Sequence, residues 1–169
     1  SFLVRQGGVG VIACGGNEHR SFALSIDRAN GKVESAGFNH CGHTTALLLP
    51  RTPTSLSSET VLMVSAGDQH SLALTNEGVV FSCGDNHCGQ LGQGAYTNFV
   101  ESQSFRAIST LEKEKVVRIA AGAFHSLCIT ARGEAFSWGG FYEHGYGHDA
   151  EDEVDEEEIG FPKLIQFLA

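Results

Sequence analysis

A chain of 169 residues can bury one sizeable core, and 21 Gly against 3 Pro with few helix signals describes a turn-rich all-β protein rather than disorder. The formal charge of −9 is concentrated: residues 149–158, DAEDEVDEEE, hold eight of the 20 acids, and outside them 12 acids meet 11 Lys and Arg. There is no basic stripe for DNA or RNA, no run of roughly 20 apolar residues to span a membrane, and five scattered Cys make no disulfide framework.

The start, SFLVRQGGVG, lacks a signal-peptide layout, so the expectation is an intracellular protein, cytoplasmic or nuclear, without direct nucleic-acid or membrane contact. From Val11 to Gly42 the chain reads VIACGGNEHRSFALSIDRANGKVESAGFNHCG, a diverged copy of two later segments. From Val61 to Gly94 it reads VLMVSAGDQHSLALTNEGVVFSCGDNHCGQLGQG, and from Val116 to Gly147 VVRIAAGAFHSLCITARGEAFSWGGFYEHGYG. These two agree at Ala66/Ala121, Gly67/Gly122, His70/His125, Ser71/Ser126, Leu72/Leu127, Thr75/Thr130, Gly78/Gly133, Phe81/Phe136, Ser82/Ser137 and Gly84/Gly139, every pair 55 residues apart. Ten matches in one register are internal repetition. The first copy aligns SFAL (21–24) with SLAL (71–74) and Gly37 with Gly84, but its His position falls on Arg20 and its turn, DRANG, is longer. The expected organisation is one partial domain over 1–169, with repeats over approximately 11–60, 61–115 and 116–169 and an acidic loop at 149–158.

Each copy indicates its own fold. In HSLALT the larger His70, Leu72 and Leu74 alternate with Ser71, Ala73 and Thr75, the period-two pattern of a strand. Gly78 supplies the positive φ that a tight hairpin turn needs, and VVFSC returns. The second face carries Ser, Ala and Thr rather than Lys or Glu, so both faces are expected to be covered, one of them closely. Short four-stranded units of this length, repeated, predict a β-propeller.

The same residues carry a family resemblance. AGDQHSLALTNEGVVFSCGDNHCGQLGQG resembles the repeat of the regulator of chromosome condensation family, whose usual form runs Ala-Gly-x-x-His-Ser-Leu-Ala-Leu-Thr, then Gly, an aromatic and Trp-Gly, then Asn-x-x-Gly-Gln-Leu-Gly. The second copy has Cys83 in place of the Trp; the third keeps Trp138-Gly139 but has FYEHGYG for the closing run. Kelch propellers are a runner-up through Gly15-Gly16 and Gly139-Gly140, but the second copy lacks the doublet, and the Trp-Asp of WD propellers is absent. The resemblance implies a seven-bladed propeller of four-stranded blades, which at roughly 50 residues a blade needs roughly 350. With about three copies, the expectation is part of a larger propeller, or copies that assemble in trans to cover open edges, and FPKLIQFLA reads as the strand opening a further repeat. The structural repeat positions it implies are Gly67, His70, Gly78, Gly84, Gly89, Gly92, Gly122, His125, Gly133, Trp138 and Gly139.

The resemblance implies two functions. One is a scaffold that holds partner proteins without catalysis of its own; the other is guanine-nucleotide exchange on a Ran-type small GTPase, as in the founding member. No inserted wedge hairpin and no basic tail are evident, which favours the scaffold. The tetrapeptide NHCG, at 39–42 and 86–89, raises a metal site, with His43 and Cys83 as further ligand types. Both copies, however, occupy the variable places of the family's Asn-x-x-Gly turn, and one turn brings too few ligands for a closed tetrahedral site. No metal or cofactor is expected. His70 and His125 each precede a Ser, yet adjacent strand residues face opposite ways, so neither pair makes a nucleophile–base dyad; a buried His satisfied by backbone groups is expected. GVGVIA at 8–13 lacks the preceding strand and following helix of a dinucleotide-binding fingerprint. Cys14, Cys83 and Cys128 read as small apolar strand residues. Asp149, Glu151, Asp152, Glu153, Asp155, Glu156, Glu157 and Glu158 read as a solvated inter-blade loop, or as a negative field that steers a basic protein partner. A loose divalent-cation site is the weaker variant, because no spacing there matches a known loop.

Overall fold

Alternation of large and small side chains along the second strand of each repeat sets how the sheets stack. The computed structural model describes residues 9–17, 20–37, 56–94, 102–140 and 160–165. A first sheet is formed by β1 (Val9–Asn17), β2 (Arg20–Asp27) and β3 (Val33–Gly37) in that order. The second holds β4 (Val61–Ala66), β5 (His70–Thr75), β6 (Val80–Gly84) and β7 (Ser102–Ala107). The third holds β8 (Val116–Ala121), β9 (His125–Thr130), β10 (Ala135–Gly139) and β11 (Lys163–Leu164). All neighbours are antiparallel. Three stacked antiparallel sheets with no α-helix among the described residues make a partial propeller, the all-β architecture that the repeats predict.

Two apolar layers separate the three sheets. Phe22, Leu24, Ile26 and Val33 of the first sheet meet Val61, Val64, Ala73 and Cys83 of the second. Leu72, Leu74 and Val80 of the second meet Val116, Ile119, Cys128 and Trp138 of the third. Every residue of β5 is buried, because its Leu face serves one layer and its Ser-Ala-Thr face the other. Each fully buried Leu or Val contributes about 1.5–3 kcal/mol of transfer free energy, so these layers dominate cohesion.

Backbone contacts repeat at both ends of the stack. At one end the hairpin glycine of each sheet accepts from the first strand of the next: Val61 N–H donates to the Gly31 carbonyl (2.9 Å) and Val116 N–H to that of Gly78 (3.2 Å). At the other end Gly16 N–H donates to Gly67 O (3.2 Å) and Asp68 N–H to Ala123 O (3.3 Å). The approach there is so close that a Cβ on Gly67 would overlap both the Gly122 carbonyl oxygen and the His70 ring.

One expectation needs correction. Within FPKLIQFLA, Lys163 and Leu164 do not open a further sheet but pair with Ser137 and Phe136 as the outer strand of the third, and residues 166–169 lie outside the described residues. The reason is edge satisfaction. β10 would otherwise present an unpaired backbone edge, as β6 would without β7.

Replacing Gly67 by Ala is expected to cost about 2–3 kcal/mol, since the clash is with backbone and cannot be relieved by a rotamer change. Gly133→Ala, at φ 81° with nothing near its Cβ, carries only the left-handed backbone penalty of about 1 kcal/mol. Urea unfolding midpoints at equal m decide this: a Gly133 variant weaker than the Gly67 variant contradicts the close-approach reading.

Candidate interaction site

The richest polar structure lies where the chain leaves β6, at residues 85–94. Glycines bend this stretch twice, with Gly89 N–H on Asn86 O (3.0 Å) and Gly92 N–H on Gly89 O (3.1 Å). Asn86 braces it from within, its Oδ1 accepting from Leu91 N–H (3.0 Å) and its Nδ2 donating to Gly94 O (3.4 Å). Gln90, fully buried, accepts from Cys88 N–H (2.8 Å) and donates to Asp85 Oδ2 (3.0 Å). Ser82 Oγ fastens the turn to its own sheet by donating to Leu91 O (2.7 Å).

The Gln90 carbonyl ties this turn to the third sheet. It accepts from Trp138 Nε1 (3.0 Å) and from Ser126 Oγ (2.9 Å). Because the Ser126 proton is used there, the 2.9 Å contact between Ser126 Oγ and His70 Nε2 requires the His nitrogen to donate. His70 Nδ1 is then an unprotonated acceptor, buried and without a partner, its ring lying over Gly67. Burial pulls the His70 pKa down to about 4, opposed in part by the Asp85 charge and assisted by His125, so the ring is neutral at pH 7.

The two His-Ser repeats therefore pair across copies, His70 with Ser126. The partner of His70 is a hydroxyl, not the backbone group expected, because β5 and β9 face each other across the apolar layer. His125, expected to be buried, is exposed, since no described sheet covers its face. Ser71, the counterpart of Ser126, is buried with its Oγ unpartnered; the aligned position one copy earlier is Arg20 rather than His. The 55-residue His-Ser repetition was the available signal, but it does not state that the pair closes between copies.

The other repeat positions have these conformations. Gly78, Gly84, Gly89, Gly92, Gly133 and Gly139 all have positive φ, and Gly122 lies under the His125 ring as Gly67 lies under His70. Of the second NHCG copy, His87 points outward to Asp85 and sits edge-on to the exposed Phe124 at 5.9 Å, whereas Cys88 is buried. Burial, then the Asp85 charge, push the Cys88 thiol up to about 11. The pair thus diverges instead of converging, and among the described residues no three His, Cys, Asp or Glu gather to hold a metal. Cys83 and Cys128 are buried in the layers, but Cys14 is exposed. The first NHCG copy, His43 and the acidic residues 149–158 lie outside the described residues. The described residues on either side of 141–159 are Gly140, whose N–H donates to Cys88 O (2.8 Å), and Gly160, whose O accepts from Gly94 N–H (3.0 Å). Both feet stand on the 85–94 turn.

Residues 64–90 and 116–144 match the regulator of chromosome condensation (RCC1) repeat. The chain carries regulator of chromosome condensation repeats over those two stretches. The human E3 ubiquitin-protein ligase HERC2 is 33% identical over 161 residues, covering 90% of this chain and 3% of that protein. The human RCC1-like G exchanging factor-like protein is 42% identical over 91 residues, covering 52% of this chain and 20% of that protein. Among solved structures, Prp20p from Saccharomyces cerevisiae, described with its binding properties to Gsp1p and histones, superposes with a TM-score of 0.71 at 22% identity. That match covers 94% of this chain and 38% of Prp20p, so the likeness is one of fold. The chain therefore spans well under half of each of these proteins. Among the described residues no helix is long and apolar enough to cross a membrane.

The repeat's His has a pH signature. A lowered folded-state pKa means the unfolded chain binds the proton more tightly, so the stability that neutral His70 confers is fully present above about pH 6.5 and lost as pH falls toward about 4. The advantage of the parent chain over His70→Leu is expected to shrink by an amount on the order of 3 kcal/mol across that window. Unfolding free energies measured at pH 7 and pH 4 test this, and a constant difference contradicts it.

Proposed function

We propose that this chain is a protein-interaction scaffold, and that a basic partner docks at the end of the stack formed by the 85–94 turn, Phe124 and the acidic segment. The observation carrying this reading is that Gly140 and Gly160, which flank residues 141–159 and with them the acidic run, are both hydrogen-bonded to one internally braced turn. Eight carboxylates within ten residues make a strong local negative potential. The exposed Phe124, edge-on to His87, adds an apolar contact of the kind interface centres use. A scaffold with a fixed polar frame and a charged loop fits steering and capture better than chemistry.

A second reading has its own support. The relative named as a G exchanging factor-like protein, and the Gsp1p-binding property stated for Prp20p, favour nucleotide exchange on a Ran-type small GTPase. Release of labelled GDP from such a GTPase, with the chain at catalytic amounts, separates the two: acceleration of roughly tenfold or more supports exchange, and none leaves the scaffold.

Changing the eight acids of 149–158 to Asn and Gln is expected to leave the urea midpoint unchanged. Binding to histones, the basic partners described for Prp20p, should weaken at least about tenfold at low salt, with the gap closing as salt rises. Titration calorimetry at two ionic strengths reads this out, and equal affinities for parent and variant would sink the docking site.

A further inference from the structure

Strand register fixes which residues of the three sheets correspond. The pairs Val9–Asp27, Val61–Thr75 and Val116–Thr130 are each followed by a bulge and then by Val11–Ile26, Met63–Leu74 and Arg118–Ile129. Counting onward from these, Phe22 takes the place of His70 and His125, and its ring lies over Gly15 as the two imidazoles lie over Gly67 and Gly122. The sequence match of SFAL with SLAL puts Arg20 at that place instead. A shift of two residues leaves every side chain on its own face, so the alternation carries no sign of it.

The correspondence separates the two junctions. From the second sheet, two side chains reach the third: His70 Nε2 donates to Ser126 Oγ (2.9 Å), and Ser65 Oγ accepts from Ala121 N–H (2.9 Å). The first sheet has Phe22 in place of His70. It has Ala13 in place of Ser65, since Ala13 pairs with Leu24 as Ser65 pairs with Leu72. Neither Phe22 nor Ala13 has a polar atom on its side chain to send across. The receiving hydroxyl is nevertheless there: Ser71 stands where Ser126 does, fully buried, and its Oγ has no partner. Such a hydroxyl gives up its hydration on folding and gains no bond in return. Among the described residues, this end of the first junction is held by apolar packing and by Gly16 N–H on Gly67 O.

We infer that the fold carries one latched and one unlatched junction, and that Phe22 and Ala13 make the first junction the joint at which the sheets part. Both junctions lie between described sheets, so the difference does not depend on what flanks the stack.

Serine removal tells the junctions apart. Ser126→Ala strands the His70 N–H and is expected to lower the folding equilibrium constant about tenfold or more, whereas Ser71→Ala should leave it unchanged or raise it. Supplying the missing donor reverses the second result: in a Phe22→His background, Ser71→Ala should cost about tenfold. Hydrogen exchange read by mass spectrometry locates the joint. Amides of β2 should exchange at least about tenfold faster than those of β5. Phe22→His should slow β2 and leave β9 unchanged, and adding Ser71→Ala should undo that slowing. A parent chain destabilised as much by Ser71→Ala as by Ser126→Ala overturns the inference, and this comparison stands even if Phe22→His does not fold. Exchange in β2 no faster than in β5, or unmoved by a folded Phe22→His variant, overturns it as well.

Discussion

The structure depends on one packing constraint: a sheet face of large side chains must lie against a sheet face of small ones. Stacked sheets sit about 10 Å apart, which leaves room for one interdigitated layer and not for two rows of Leu and Ile meeting head-on. The second strand of every repeat meets this by putting Phe or Leu on one side and Ser, Ala, Cys or Thr on the other. Through that alternation β5 serves two apolar layers at once, and the three sheets form a stack instead of a single sandwich.

Polar groups that enter the layers are mostly paired, with His70 Nδ1 and Ser71 Oγ as exceptions among the described residues. Ser126 sits inside the second junction because its proton goes to the Gln90 carbonyl and its lone pair receives the His70 N–H. Trp138 is fully buried on the same terms, its indole N–H donating to that carbonyl. A carbonyl accepting two bonds from the neighbouring sheet makes the 85–94 turn part of the junction rather than a surface loop. Removing the Ser126 hydroxyl would leave the buried His70 N–H without its acceptor, which is costlier than the bond itself is stabilising.

A turn held this way is a suitable mount for variable surface chemistry. His87 and Phe124 stand on its outer side, and Gly140 and Gly160 are hydrogen-bonded to its backbone. In the proposed function, the rigid part belongs to the repeat and the recognition chemistry to what is attached to it.

The sequence by itself determined the strand periodicity, the repetition at 55 residues, the hairpin turn at Gly78 and the all-β class, because each is a local pattern that backbone sterics and burial read directly. It also pointed to cover on both faces of β5, since the second face carries small Ser, Ala and Thr and no Lys or Glu. Only the tertiary structure decided that His70 bonds to Ser126 rather than to backbone, that Lys163 and Leu164 close the third sheet, and that His125 is exposed where His70 is buried. Identical local sequences, His-Ser-Leu in both, take different environments according to whether another sheet lies against them. The physical reason is that a side chain's partner across a layer is set by how sheets are placed relative to one another. Strand periodicity carries no record of that placement.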